Sequence, residues 1–400
     1  MAATDRKERA LERQLSARPK EVRFCKRCVV SNQRPRIVFD REGVCSACRF
    51  AHEKRHAIDW KERERSLLAL LDRHRRNDGR WDVVVPGSGG KDSSFVAHQL
   101  KTRYGMHPLT VTWAPFNYTD IGWKNLYEFT QSGFNNLLCH PNGRFHRRLA
   151  RLAFEELGDA WQPFTYGQMS YAFHIALRFG IRLVFFGENG EAEYGGDPKN
   201  NLSSNMPLED WALLYFKGPM VDELVRHGLR HKDYFTKDDF TDSDLTFYRP
   251  PSLEELKNNG IEMHWYSFYQ RWVPQENYYY AVENTNFQAN AERSEGTYSK
   301  YASLDDRLDG FHYYMAFIKF GIGRATSDAS HEVRDGHITR DEAVRLVKRY
   351  DGEFPSRYFK EFLDYLDMTE EGFWQVVDSW RSAHIWEKAD DVWRLRHQVS

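Results

Sequence analysis

Four short apolar runs, separated by stretches of helical spacing, organise the middle of the chain. Trp81-Asp82-Val83-Val84-Val85-Pro86 leads into a glycine-rich turn and then into a helical stretch beginning Ser93-Ser94-Phe95-Val96 and closed by Gly105. Further apolar runs stand at 108–114, 135–140 and 181–188, and helices are predicted between them over 123–132, 144–157 and 170–179. Strands that alternate with helices imply right-handed crossovers and a parallel sheet, which takes its ligand at the carboxyl ends of the strands. Residues 80–200 are therefore expected to form an α/β core.

The flanks read differently. Residues 1–21 are charged throughout and predict an arm, 22–50 carry four cysteines, and the spacing of Ile58, Leu67, Leu68 and Leu71 predicts a connecting helix over 51–79, ending at Asn77-Asp78-Gly79. Beyond 200 the pattern becomes one of aromatic-rich helices, at 206–218, 251–260 and 311–321. Thr339 to Glu342 reads as a capping box with Gly352 beyond its helix, and Thr369-Glu370-Glu371 starts another. The span 201–400 is expected to be a helical substrate domain folded over the ligand, with Trp265, Tyr266, Tyr278, Tyr279 and Tyr280 as candidate pocket walls.

Charge and composition exclude some roles. The 57 basic and 58 acidic residues nearly cancel, so there is no global field to draw the chain onto nucleic acid or an anionic membrane. No window approaches the ~20 apolar residues a spanning helix needs, and the charged start lacks a signal core, so a cytoplasmic protein is expected.

The strongest chemical signal is Pro86-Gly87-Ser88-Gly89-Gly90-Lys91-Asp92-Ser93-Ser94, set between a strand and a helix start. Consecutive glycines let the backbone approach a ligand, and the exposed N–H groups with the helix N-terminus form a nest for phosphates. Ser88, Ser93 and Ser94 can add hydroxyl donors, Lys91 adds positive charge, and Asp92 makes sense beside a phosphate as a magnesium ligand. The spacing of a Walker A loop fails at Asp92. The second signal is Cys25-Lys-Arg-Cys28 with Cys45-Ser-Ala-Cys48, whose spacing suits a closed tetrahedral zinc site of structural purpose, with an iron–sulfur cluster as the rival. Asp40 to Gly43 reads as a hairpin turn before the second pair.

Weaker candidates follow. Glu188, Glu191 and Glu193 stand at the carboxyl end of the fourth apolar run and could bind Mg²⁺ or orient a nucleophile; Lys319 and Arg324 could supply cations to a departing pyrophosphate. Cys139 is alone in the core, whereas sulfur transfer generally uses a pair or a cluster, and it lacks the glycine-flanked elbow of a glutaminase nucleophile. Any ammonia must come from solution or from a separate subunit.

The glycine-rich loop resembles the SGGxDS signature of PP-loop ATP pyrophosphatases. That resemblance implies a HUP-like nucleotide fold, a loop that holds the pyrophosphate of ATP, and transfer of AMP to a substrate oxygen. Together, the cysteine knuckle, VVPGSGGKDSSFVAHQLK, GFNNLLCHPNGR, FFGENGEAEYGG and KFGIGRATSDASHEVRDGHITRDEAVRLVKRYDGEFP are similar to the N-acetyl sugar amidotransferase family, over roughly 22–380. The family implies conversion of an acetamido group on a nucleotide-linked sugar to an acetamidino group during surface polysaccharide (LPS O-antigen) assembly. The cofactors implied are ATP, Mg²⁺ and structural Zn²⁺, with ammonia from a glutaminase resembling the histidine-biosynthesis glutaminase/cyclase pair. Catalysis would then fall to Lys91, Asp92 and Glu188. The alternative from the same superfamily is a tRNA-modifying enzyme with a zinc knuckle.

Overall fold

The computed structural model describes residues 11–205, 218–231 and 234–400. Five strands, β1 (Val83–Pro86), β2 (Pro108–Trp113), β3 (Asn135–Cys139), β4 (Leu183–Phe186) and β5 (Glu262–Trp265), form one wholly parallel sheet in the order β3-β2-β1-β4-β5. Around it run α1 (Ser46–His56), α2 (Trp60–His74), α3 (Lys91–Thr102), α4 (Asp120–Gln131), α5 (Gly143–Leu157), α6 (Gln162–Phe179) and α7 (Gly190–Tyr194).

The central strands are apolar without alternation because both of their faces are covered. Val83 and Val85 join Leu67, Leu70 and Leu71 of α2 with Val96 and Leu100 of α3, while Val84 joins Leu149 of α5 and Phe173 of α6 on the other face. The fit of α6 on β2 is close: a Cβ at Gly167 would stand 2.0 Å from the Trp113 ring. β5 is the element the sequence pattern missed. Its four residues pair with β4 from Leu183↔Glu262 to Phe186↔Trp265, a long-range register at the sheet edge that no local periodicity announces. The sheet therefore draws a strand from a region expected to be helical. Trp265 and Tyr266 consequently lie in the core, Trp265 against Phe186 and Tyr266 against Phe185, and do not wall a pocket.

Two further expectations change. The connecting helix is two helices, broken at Ala57 to Asp59, because the Asp59 carboxylate accepts from the N–H groups of Lys61 and Glu62 and so starts α2 afresh. The described part of the expected arm is packed down. Leu11 is buried with the sheet core and Arg13 pairs with Glu223 at 2.5 Å; residues 1–10 and nearly all of the helix expected at 206–218 lie outside the described residues.

The last third is helical, over Asp309–Phe320, Arg324–Asp335, Arg340–Tyr350, Phe359–Leu366 and Glu370–Ser379, with a closing hairpin at Trp386–Ala389 and Val392–Leu395. Both hydrogen bonds of the Thr339–Glu342 capping box form, and Thr369 Oγ1 accepts from Gly372 N. Phe154 of α5 stacks on Phe373 (5.5 Å, 11°) and so ties these helices to the core. No helix among the described residues is long and apolar enough to cross a membrane.

Candidate functional site

β1 has β2 on one side and β4 on the other, so the sheet's switch point lies between β1 and β4, where the loops after both strands meet. The first of these is Gly87–Gly90. Gly87 N donates to Val111 O (2.9 Å) and Thr112 Oγ1 donates to Gly87 O (2.6 Å), which pins the loop to β2. Gly89 has φ +80°, and a Cβ there would stand 2.7 Å from Asn125 O and Leu126 N of α4, so glycine alone fits. α3 then begins at Lys91, leaving its first N–H groups without intrahelical acceptors. Ser94 is fully buried and its hydroxyl has no hydrogen-bond partner among the described residues, as expected of a donor waiting for an anion.

Lys91 and Asp92 form a close ion pair, and Asn277 Nδ2, buried on the helix Pro274–Thr285, donates to Asp92 Oδ1 at 3.0 Å. Asn277 was invisible to sequence reasoning because it lies 185 residues away with no motif around it. Glu188 follows β4. Burial pushes its carboxyl up to about 7; the negative charge of Asp92 adds to the effect, and Lys91 opposes it. The structure thus brings Gly87 to Ser94, Lys91, Asp92 and Glu188 into one crevice, with two carboxylates beside an anion nest. Such a pair suits a hard divalent cation.

The other two glutamates of that loop are spent on structure. Glu191 pairs with Arg36 and accepts from Asp197 N (3.0 Å), and Glu193 pairs with Lys54 at 2.7 Å, with both of those side chains buried. Lys319 also departs from expectation. Its ammonium is buried against Glu12 (3.3 Å), the Leu157 carbonyl (2.7 Å) and the Trp380 ring, so it is spent on a core ion pair. Arg324 stays near the crevice, because its charge and those of Asp92 and Glu188 all act on Tyr194, but its guanidinium is engaged by Asp328 (3.1 Å) and the Tyr313 hydroxyl. Among the tyrosines proposed as pocket walls, Tyr278 stacks on Tyr301 (4.4 Å), Tyr280 bonds His98 (2.6 Å), and Tyr279 is exposed. Burial raises the Cys139 thiol to about 11, which leaves it without thiolate character.

The four cysteines of the knuckle are buried, and their sulfurs lie within 4.8 Å of one another, with Cys25–Cys48 at 3.9 Å and Cys28–Cys45 at 3.7 Å. Hydrogen bonds among the four hold the Cys25 thiol far below its ordinary range. Backbone N–H groups of Arg27, Cys28 and Cys45 point at the Cys25 sulfur at 3.3 to 3.5 Å. The Asp40–Gly43 turn forms as expected, with Gly43 N on Asp40 O and Cys45 as the cap of α1. This donor set fits a metal ion.

The knuckle is built into the crevice wall. Ser46 Oγ donates to Gly196 O (3.1 Å), Arg34 Nε to Gly195 O (3.2 Å) and Arg334 Nη2 to Glu193 O (2.9 Å), while Phe320 and Ile322 cover the cysteine cluster from the other side.

Residues 295–399 match the family described as LPS biosynthesis protein WbpG-like, C-terminal domain. The WbpG-like segment includes Asp305, whose carboxyl burial raises and Ser88 of the glycine loop lowers, and Arg324, whose charge acts on Tyr194 with those of Asp92 and Glu188, so it borders the crevice. The chain thus joins a parallel α/β core with a glycine-rich loop and a four-cysteine centre to a segment that matches the WbpG-like model. No curated protein matches it significantly. Among solved structures, it is similar to an NH3-dependent NAD synthetase from Campylobacter jejuni subsp. jejuni NCTC 11168 in complex with the nitrate ion, at 15% identity over 51% of this chain and 94% of that one, with a TM-score of 0.27. It is also similar to the U34-tRNA thiolase NcsA from Methanococcus maripaludis with its [4Fe-4S] cluster, at 14% identity over 86% and 95%, with a TM-score of 0.27. Scores this low bear on neither substrate nor chemistry.

Proposed function

We propose that this protein is an ATP-dependent, AMP- and pyrophosphate-forming amidotransferase that turns the acetamido group of a nucleotide-linked N-acetyl sugar into an acetamidino group for LPS O-antigen assembly. The observation that carries the reading is the crevice itself: a glycine-rich anion nest, Lys91, Asp92 and Glu188 at the switch point, walled in part by a WbpG-like segment.

The chemistry follows from what each group can do. An amide carbonyl is a poor electrophile, so its oxygen is first made a leaving group. The acetamido oxygen attacks the α-phosphorus of ATP, the bond to the β-phosphate oxygen breaks, and pyrophosphate leaves along the nest. The N–H groups at the start of α3 and the Lys91 ammonium stabilise the charge that grows on that leaving group. Asp92 and Glu188 would hold Mg²⁺, which when bound neutralises phosphate charge. Ammonia then adds to the imidate carbon and AMP departs with the former amide oxygen, leaving the amidine.

At the knuckle, a zinc–sulfur bond of about 2.3 Å implies sulfur separations of about 3.8 Å in a tetrahedron, close to the two pairs found, whereas a cluster that interposes several irons would spread the thiolates further. We assign structural zinc there. The absence of a glutaminase elbow at Cys139 supports supply of ammonia by a separate glutaminase in the cytoplasm, of the histidine-biosynthesis type. The raised Cys139 thiol and the balanced charge count against tRNA thiolation.

The test is incubation with Mg-ATP, ammonium and a panel of nucleotide-linked N-acetyl sugars. AMP and pyrophosphate formed only with one acceptor, together with a slightly lighter sugar, is the expected result. Formation of ADP, or AMP release with tRNA alone, would overturn it.

A further inference from the structure

Several cations gather round the loop after β4, and nearly all have carboxylate partners. Arg36 has Glu191, Lys54 has Glu193, Arg324 has Asp328 and Lys91 has Asp92. Arg34 differs. It is half-buried, its Nε donates to Gly195 O, its guanidinium lies 5.4 Å over the Tyr194 ring, and among the described residues no carboxylate lies within ion-pairing distance of it. Burial lowers it to about 10, with the charge of Glu191 opposing from beyond ion-pairing distance, the condition of a guanidinium withdrawn from water and only partly compensated.

A second group stands beside it. His331, on the helix Arg324–Asp335 of the WbpG-like segment, is 7% exposed, meets the Tyr194 ring edge-on at 4.6 Å, and its buried Nε2 has no hydrogen-bond partner. Burial first, and then the charges of Arg334, Lys54, Lys91 and Arg34, hold it neutral. A neutral imidazole with an unused nitrogen and the Arg34 guanidinium thus meet the same Tyr194 ring, in a space where the charge of Lys91 also acts on His331. Such a space calls for an anion, and the anion that Lys91 and the glycine loop are placed to hold is the phosphate end of ATP.

We propose that Arg34 and His331 are ligands of the pyrophosphate half of ATP, so that the knuckle and the WbpG-like segment together complete the anion site that Gly87 to Ser94 begin. This rests on the ATP-pyrophosphatase reading above. It gives the knuckle a direct part in the chemistry: the metal centre sets the position of a side chain that touches the leaving group. It also fills the role that Lys319, buried elsewhere, cannot take.

The test is calorimetric titration of the full chain with Mg-pyrophosphate and, separately, with AMP. Arg34→Gln keeps a polar N–H donor on a shorter side chain and removes the charge; pyrophosphate affinity is expected to fall by about ten- to a hundred-fold, the range for a charge-assisted bond, with AMP affinity and bound metal unchanged. Arg34→Lys should recover only part of the loss, since an ammonium lacks the planar fork. His331→Gln repeats the test on the opposite wall, away from the cysteines, and should weaken pyrophosphate several-fold. Wild-type pyrophosphate affinity in both Arg34→Gln and His331→Gln would overturn the assignment and leave the amidotransferase reading standing. No pyrophosphate binding by the wild-type protein would overturn both.

Discussion

Glu188→Gln should make this protein more stable and less active, and only above a definite pH. In the unfolded chain the Glu188 carboxyl ionises near its ordinary 4.5, whereas in the fold burial and the charge of Asp92 hold it protonated to about 7. Between those two values the unfolded state releases a proton that the folded state keeps, so stability falls as pH rises through that window and levels off above it. At ~1.4 kcal/mol per pH unit the whole effect amounts to roughly 3 kcal/mol, an upper figure because Glu188 keeps some solvent contact. Glutamine has the same shape and nothing to ionise. Urea denaturation in magnesium-free buffer should therefore give equal midpoints for the two proteins at pH 4, a growing advantage for Glu188→Gln through pH 5 and 6, and its full size at pH 8. Adding magnesium at pH 8 should restore the wild type and leave the variant unmoved, while acceptor-dependent AMP formation is lost in the variant. A stability difference that ignores pH, or a variant with full turnover, would refute the reasoning.

Other outcomes follow from single contacts. Gly89→Ala places a methyl 2.7 Å from backbone atoms of α4 at a positive φ, so ATP binding measured by titration should be lost even where circular dichroism shows the fold retained. Lys319→Met leaves Glu12 charged and buried; urea midpoints should show a loss of about 3–5 kcal/mol, with the KM for ATP unchanged in the folded protein. Cys25→Ser opens the metal site under the loop that carries Glu188, so metal content, ammonia-dependent turnover and glutamine-dependent turnover should fall together. Loss of the glutamine-dependent rate alone would instead mark the knuckle as the docking face for a glutaminase.

What could be read in advance, and what could not, divides along sequence distance. β1 to β4, α3 and the Thr339 capping box are announced by residues a few positions apart, because local backbone chemistry and a sheet buried on both faces leave a pattern in the chain. The glycine loop was legible for the same reason: every part of the nest lies within nine residues of sequence. β5 was hidden because pairing along β4, not periodicity, makes Glu262–Trp265 a strand. The acidic loop misled by its composition. Three glutamates within six residues suggested one metal site, yet the knuckle's Arg36 and α1's Lys54 each claim one of them, and only Glu188 remains for the crevice.

The same rule governs the two cations expected to meet a departing pyrophosphate. Lys319 and Arg324 offered charge in a glycine-bearing stretch, but a cation's availability depends on which acids fold against it, and Glu12 and Asp328 are in contact with these two. Arg34 offered no such cue. Between Cys28 and Cys45 it reads as one more basic residue of a metal knuckle, and only the packing of that knuckle under Gly195 and Gly196 brings its guanidinium over Tyr194. A four-thiolate centre could stabilise this segment anywhere on the surface. Here it lies between the Glu188 loop and the WbpG-like helices, with Arg334 of those helices donating to Glu193 O and Ile322 packed on the cysteines. Removing the metal should therefore loosen three walls of one crevice at once, and a drop in pyrophosphate affinity that exceeds the drop in AMP affinity would distinguish this arrangement from a general loss of fold.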